Sequence, residues 1–297
     1  MPRFTIARLA LPLCAALVCA APASAGLILG SDLASFTVLG ASTVTNVPSS
    51  TIVGNVGVSS GTSITGFNSS PGVAVTDLQV TSGLVHTTTA VAASAQSQLT
   101  TARTNLGFLG AGSTLIADLA GLTLAPGVYT VAAGATNLSG TLTLDGGGNA
   151  NAGWVFQMES TLITSSNSFV NMINTGAGAG LFWNVASSAT IGENTTFLGN
   201  ILALESITMV TSATNFCGRA LADTGAVTLQ QNSLSNTCTD SRLYGSNGLS
   251  GGLDVNGSVV EFLPFSSVTP TSVPEPSTMV LFGLGLVGLL ARRRRTA

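Results

Sequence analysis

A short polar-polar-apolar unit recurs through the second half of the chain. It is found as Thr136-Asn137-Leu138, Asn167-Ser168-Phe169, Thr195-Thr196-Phe197, Thr214-Asn215-Phe216 and Asn232-Ser233-Leu234. The starts are separated by 31, 28, 19 and 18 residues. Periods near 20 are typical of β-solenoids, because every coil must place one inward residue at the same height. The unit predicts stacked β-coils with loops inserted in some of them; chance repetition in a Thr- and Asn-rich chain is the alternative.

The rest of the middle region predicts strands and one helix. Short β-type runs between Asn46 and Phe67 are punctuated by glycines, which predicts strands with tight corners. Residues Val85 to Leu109 lack proline, contain no glycine before Gly107, and place apolar residues near helical spacing. We expect a helix from about Thr88 to Leu106.

Charge is scarce, at 7% of residues, while 45% are hydrophobic. The apolar content is sufficient for a core, so one folded domain of about 240 residues is expected between the two termini. Without the terminal segments described below, three basic and 11 acidic residues remain. This acidic balance argues against nucleic acid as a partner.

The first 25 residues have the order of a secretory signal peptide. A basic start with Arg3 and Arg8 precedes an apolar run and the small-residue triplet Ala23-Ser24-Ala25. Cleavage is expected before Gly26. The apolar run is shorter than the roughly 20 residues that a membrane-spanning helix needs.

The C-terminal segment combines three features. Prolines in Val273-Pro274-Glu275-Pro276 oppose helix, an apolar stretch runs from Met279 to Ala291, and the arginines resist translocation. These arginines are Arg292, Arg293, Arg294 and Arg295. The arrangement resembles the PEP-CTERM sorting tail, which implies recognition and removal by an exosortase-type protease. We expect a linker at 265–272, a tail with a short transmembrane stretch at 273–297, and transient membrane attachment before secretion or surface display; a permanent anchor is the alternative.

Two cysteines remain after signal removal, Cys217 and Cys238. Exported chains commonly pair such residues, so a disulfide is expected, with two buried thiols as the alternative.

The titratable residues argue against an enzyme. His86 is the only histidine, and the carboxylates are spread singly along the chain. We therefore expect no catalytic residue, cofactor or metal. The run Asp145-Gly146-Gly147-Gly148-Asn149 faintly resembles a calcium turn, but one acidic residue is insufficient, and a Gly-rich hairpin loop is predicted.

Several segments in order resemble the ice-binding-protein-like family. They include Leu124-Ala125-Pro126-Gly127-Val128-Tyr129, Trp154-Val155-Phe156-Gln157-Met158, Phe182-Trp183-Asn184-Val185 and Gly218-Arg219-Ala220-Leu221-Ala222. The resemblance implies a mainly β fold for residues 26–264: a discontinuous right-handed β-solenoid with one long helix packed alongside.

The same resemblance implies a flat ice-binding face whose coils carry Thr, a small residue, any residue, then Thr or Asn. Thr164-Ser165-Ser166-Asn167 and Thr211-Ser212-Ala213-Thr214 approach this pattern, and Gly192-Glu193-Asn194-Thr195 departs from it. The expected contacts with ice are Thr164, Asn167, Thr195, Thr211 and Thr214, with Thr136 and Asn232 at the edges. Function as an exported ice-binding protein is expected; a surface adhesin or matrix protein, with a polysaccharide as partner, is the alternative.

Overall fold

The computed structural model describes residues 26–238, 243, 245–257 and 259–268. The predicted segments 1–25 and 273–297 lie outside these residues. Neither helix in the described part has the combination of length and apolarity that crossing a membrane requires.

The chain runs in circuits that visit three sides of the molecule in turn. In one circuit, β17 (Ala189–Ile191) lies on the first side and β19 (Ile207–Met209) returns to that side. Between them β18 (Thr196–Ala203) supplies strand segments to both other sides. It bends at Gly199, whose φ of 97° a side chain would oppose.

The first side is a parallel six-stranded sheet. Its order is β14 (Leu162–Ile163), β17, β19, β21 (Val227–Gln230), β2 (Thr43–Val47) and β5 (Ser63–Thr65).

The second side, here called the open ladder, is also made of parallel strands. Its order is β10 (Thr123–Leu124), β12 (Thr141–Asn149), β15 (Phe169–Thr175), the start of β18, the start of β20 (Thr214–Ala222), β22 (Ser233–Ser235), β3 (Thr51–Val53) and β7 (Val80–Thr81).

The third side, the covered ladder, packs beneath the helices. Its order is β9 (Ser113–Leu115), β11 (Gly127–Val131), β13 (Gly153–Met158), β16 (Gly180–Val185), the ends of β18 and β20, β1 (Phe36–Gly40), β4 (Asn55–Val58) and β8 (Val85–Thr87), with β6 (Ala74–Val75) antiparallel to β8.

The circuits are not stacked in chain order. Strand β1 pairs with β20, which comes late in the sequence, and on its other side with β4. The N-terminal circuits therefore extend the stack beyond β20. The chain then passes through a helix and resumes at the opposite end with β9.

Two helices pack on the covered ladder, α1 (Ser31–Ser35) and α2 (Ala90–Phe108). Helix α2 lies two residues C-terminal to the predicted span, because Thr89 is its N-cap and accepts a hydrogen bond from the amide of Ala92. Ala95, Leu99, Ala102 and Leu106 lie on its buried face, as the helical spacing predicts, whereas Val91, which shares that spacing, is 40% exposed.

The core fills the space between the three sides. Trp154 and Trp183 are buried, and Phe156 stacks on Trp183 with ring centroids 4.2 Å apart. Each indole N–H donates to a backbone carbonyl, that of Leu124 or Leu198. Aromatic burial with satisfied donors is a major contribution to stability.

The glycine-rich run after Asp145 is not the hairpin loop that its composition predicts. Strand β12 pairs with β10 and β15, and the following β13 pairs with β11 and β16. The end of β12 and residues 150–152 therefore turn the chain from the open to the covered ladder. A Cβ at Gly146 would lie 2.5 Å from the carbonyl oxygen of Asn174. Gly147 and Gly148 have open space around them but adopt φ of 58° and 83°, which a side chain would oppose.

Cys217 and Cys238 are joined by a disulfide, with Cα atoms 4.6 Å apart. Cys217 lies in β20, and Cys238 follows the neighbouring strand β22. The bond therefore links adjacent circuits.

A C-terminal antiparallel hairpin, β23 (Leu253–Asn256) and β24 (Val259–Phe262), packs beside α2. The chain after it does not become a free linker at residue 265. Ser266 and Val268 are hydrogen-bonded to the corner at 148–150, so the domain extends to Val268.

Candidate functional site

A column of threonines crosses the six-stranded sheet. One threonine stands at the same height on each of five neighbouring strands: Thr190, Thr208, Thr228, Thr45 and Thr65. Ile163 occupies the equivalent position on the sixth strand, β14. Parallel strands lie about 4.8 Å apart, so the column presents a methyl and a hydroxyl group at that interval.

Alternation along each strand explains why these threonines face outward. In β19 the flanking residues Ile207 and Met209 are completely buried, while Thr208 is partly exposed. The same pattern holds in β17 and β21, where apolar residues on either side of threonine point into the core. β-Branching restricts each threonine to few rotamers, which gives the column a regular surface.

A second row of small residues lies beside the column. Each of its members is two residues before a column threonine, either in the same strand or in the segment that leads into it. Thr43 and Ser63 are paired in register within this row, and Ser188, Ser206 and Ala226 hold the corresponding places on the other strands. Small hydroxyl-bearing residues keep the sheet surface even. Neither helix nor the hairpin packs on this sheet within the described part of the chain.

Carboxylates lie at the margins of this surface. Glu205 is held at one edge, where it accepts hydrogen bonds from the hydroxyls of Ser187 and Ser188 at 3.0 and 3.2 Å. Glu193 is exposed at the opposite edge, in the corner between β17 and β18. The threonine column between them is uncharged. Such an array can hold ordered water, with methyl groups confining it and hydroxyls bonding to it.

The structure places the sequence-predicted residues mainly at the corner that leads from the six-stranded sheet to the open ladder. Thr164, Thr195 and Asn232 are buried there, with 4%, 0% and 1% exposure. Thr164 and Thr195 hydroxyl oxygens are 3.3 Å apart, and the Asn232 amide donates to two backbone carbonyls. Their expected position on a solvent-facing surface is therefore wrong: their polar groups satisfy backbone at the bend.

The remaining predicted residues reach solvent but do not form one column. Asn167 is exposed and Thr211 is half-buried at the same corner, where the Thr211 hydroxyl donates to Gln230. Thr214 faces outward from the open ladder, next to Thr196. Thr136 is half-buried and lies 3.4 Å from the Ser165 hydroxyl.

A register error explains the difference. The polar-polar-apolar alignment equates Phe169 with Phe197, whereas the structure pairs Phe169 with Thr196 and Phe197 with Asn215. Phe169 is consequently exposed, and Phe197 is buried. A different signal marks the column, namely threonine flanked by apolar residues in Ala189-Thr190-Ile191, Ile207-Thr208-Met209 and Val227-Thr228-Leu229.

The open ladder is less regular. Phe169 and Phe216 protrude from it, 40% and 47% exposed, and line a surface groove of about 380 Å³ together with Asn171 and Thr196. Rings standing above the strands break the flatness of this side. The open ladder is therefore less suited than the six-stranded sheet to contact with a flat surface.

The described residues contain no group of three His, Cys, Asp or Glu side chains arranged for a metal ion. Their one recorded ion pair joins Arg103 to Asp223 at 3.0 Å, between α2 and the end of the covered ladder. His86 lies beneath α2, with its Nδ1 3.0 Å from the Thr89 hydroxyl. These groups stabilise the helix on the sheet.

Stacked parallel strands, a covering helix and an outward-facing threonine column define a mainly β protein with one uncharged, regularly spaced surface. The profile of the Ice-binding-like family matches residues 38–235, and this chain belongs to that family. A PEP-CTERM protein-sorting motif matches residues 272–295, which indicates export and sorting.

Proteins named as ice-binding proteins are similar to this chain. An ice-binding protein of Nostoc sp. (strain HG1) is 44% identical over 88% of this chain and 84% of its own length. The crystal structure of an ice-binding protein from an Antarctic biological consortium is 34% identical, with a TM-score of 0.62 over 70% of this chain and 91% of that one. That from the ascomycete Antarctomyces psychrotrophicus is 33% identical, with a TM-score of 0.62 over 71% and 98%.

Proposed function

We propose that this chain is an exported ice-binding protein that holds ice through the six-stranded sheet. The observation that carries the proposal is the column of five threonines in register on parallel strands. Water ordered on such a column can join the surface layer of an ice crystal, because the array is rigid, evenly spaced and uncharged. The names of the relatives support the same ligand.

We also propose that the stacked circuits form a discontinuous right-handed β-solenoid with α2 along its covered side. We further propose that residues 1–25 are removed as a signal peptide and that Pro274, Glu275 and Pro276 are recognised by an exosortase. The tail would then hold the protein at the membrane until its removal. Secretion or display at the cell surface follows.

The central prediction concerns Thr208, in the middle of the column. Thr208→Tyr should abolish most ice-crystal shaping and recrystallisation inhibition, because the ring rises above the neighbouring threonines and displaces ordered water. Thr214→Tyr is the matched control, since Thr214 is also half-buried and outward but lies on the open ladder. It should retain activity. Circular dichroism and the melting temperature establish that both variants fold.

Loss of activity in Thr214→Tyr but not in Thr208→Tyr would transfer the site to the open ladder. A folded wild-type protein that shapes no ice crystal would overturn ice binding altogether. Adhesion at the cell surface would then be the function, with Phe169 and Phe216 as the groups able to stack on the sugar rings of a polysaccharide.

A further inference from the structure

The C-terminal part of the domain runs along the corner where the open and covered ladders meet, here called the rear corner. Arg219, fully buried, donates to the carbonyl oxygens of Asn247 and Gly248 at 3.3 and 3.1 Å. Further along, the Leu249 carbonyl accepts from the amide of Leu181 and from the Asn200 side chain, both at 2.9 Å. Residues 247–249 are thus hydrogen-bonded to strands of three successive circuits, β16, β18 and β20.

The last described residues are fastened to the same corner. The Ala150 amide donates to the Ser266 carbonyl at 2.6 Å, and the Val268 amide donates to the Gly148 carbonyl at 2.9 Å. The Asn151 side chain also donates to the Pro264 carbonyl at 3.2 Å. The chain therefore leaves the domain from the rear corner, next to residue 148.

The rear corner is opposite the six-stranded sheet. Each circuit passes from that sheet to the open ladder, around the rear corner to the covered ladder, and back to the sheet, as β17, β18 and β19 show. The corner is the meeting line of the two other sides. The point of attachment and the threonine column are consequently on opposite faces of the molecule.

The sorting motif covers residues 272–295, and the apolar stretch within it begins at Met279, 11 residue steps after Val268. Fully extended, this connection spans at most about 40 Å, at roughly 3.6 Å per residue. A membrane that holds the apolar stretch therefore holds the domain by its rear corner.

We infer that the rear corner is a membrane-facing surface, and that it directs the six-stranded sheet away from the membrane while the C-terminal tail is still attached. One consequence rests on the proposed function: with the six-stranded sheet facing outward, the protein can bind ice before its tail is removed. The orientation itself does not depend on ice binding.

The orientation is tested by cysteine labelling of residues 26–297, the chain without its signal peptide, in phosphatidylethanolamine–phosphatidylglycerol vesicles. Thr45→Cys places a thiol on the six-stranded sheet, and Ala177→Cys places one at the rear corner; both positions are exposed. A bulky maleimide polymer should label Thr45→Cys equally fast in vesicles and in detergent. It should label Ala177→Cys several-fold more slowly in vesicles.

Equal labelling at both positions, or selective protection of Thr45→Cys, would overturn the orientation. A second measurement uses vesicles bearing the wild-type chain, which should adsorb to ice, whereas vesicles bearing Thr208→Tyr should not. If the wild-type protein in detergent-free solution binds no ice, the proposed function fails, and the labelling result still decides the orientation. If the soluble protein binds ice but the vesicles do not, ice binding before removal of the tail is overturned.

Discussion

At the residue scale, buried polar groups in this protein are matched to specific partners, and His86 is a clear case. Its ring is 7% exposed, packs edge-on against Phe36, and contacts the hydroxyl of Thr89. The Thr89 oxygen also accepts from the Ala92 amide, so its proton is available to a neutral His86 nitrogen. Burial lowers the pKa of His86 below its ordinary value of 6.5. The neutral ring is the form that fits.

This environment predicts a pH-dependent stability. Because the folded-state pKa is lowered, the unfolded chain binds a proton more readily than the folded chain, and stability falls as pH decreases below about 6.5. The melting temperature should decline between neutral pH and pH of about 5. His86→Asn, which cannot be protonated there, should show a smaller decline over the same range. Equal pH profiles of the two proteins would contradict the assignment.

At the scale of elements, the disulfide links Cys217 in β20 to Cys238, which follows β22. It closes a loop with a sequence separation of 21 residues. In the chain-entropy treatment such a crosslink stabilises the folded state by about 3 kcal/mol. Cys217 lines the groove on the open ladder, whereas the threonine column crosses the separate six-stranded sheet. Stability and ice binding should therefore respond differently to its removal.

Replacing both Cys217 and Cys238 by serine should lower the free energy of unfolding by about 3 kcal/mol, measured by urea denaturation. Recrystallisation inhibition measured well below the melting temperature should be retained. Wild-type protein with a reducing agent serves as the control and should behave like the double variant. A free-thiol titration that finds two reactive thiols in the exported protein would refute the pairing.

At the scale of the whole molecule, Arg219 connects segments that are distant in sequence. Its guanidinium donates to Ala34 in α1, to Asn200 in β18 and to the 247–248 segment, and it is fully buried. Burial lowers its pKa to about 9. At neutral pH the side chain is still charged, and its donors satisfy several buried oxygen atoms at once. The N-terminal helix, the stacked circuits and the rear corner are thereby joined.

Arg219→Met should destabilise the protein by at least about 3 kcal/mol, because several buried carbonyl groups lose their donor together. Arg219→Lys, with a compact ammonium group and fewer donors, should have an intermediate effect. Thermal unfolding measures both. A loss below about 1 kcal/mol in Arg219→Met would show that water or rearrangement replaces the guanidinium.

The β-rich class, the long helix and the family are predictable from the sequence, because they follow from local periodicity and from ordered motifs such as Trp154-Val155-Phe156. Which threonines share a surface depends on how distant strands stack. Thr45 and Thr65 continue the column of Thr190, Thr208 and Thr228 only because β2 and β5 stack beyond β21, which is distant in the chain. The tertiary structure also decided that Thr164 and Thr195 turn inward. Strand register has a period of two, so a shift of one residue exchanges the core for the solvent face, and only packing of the whole circuit selects between them.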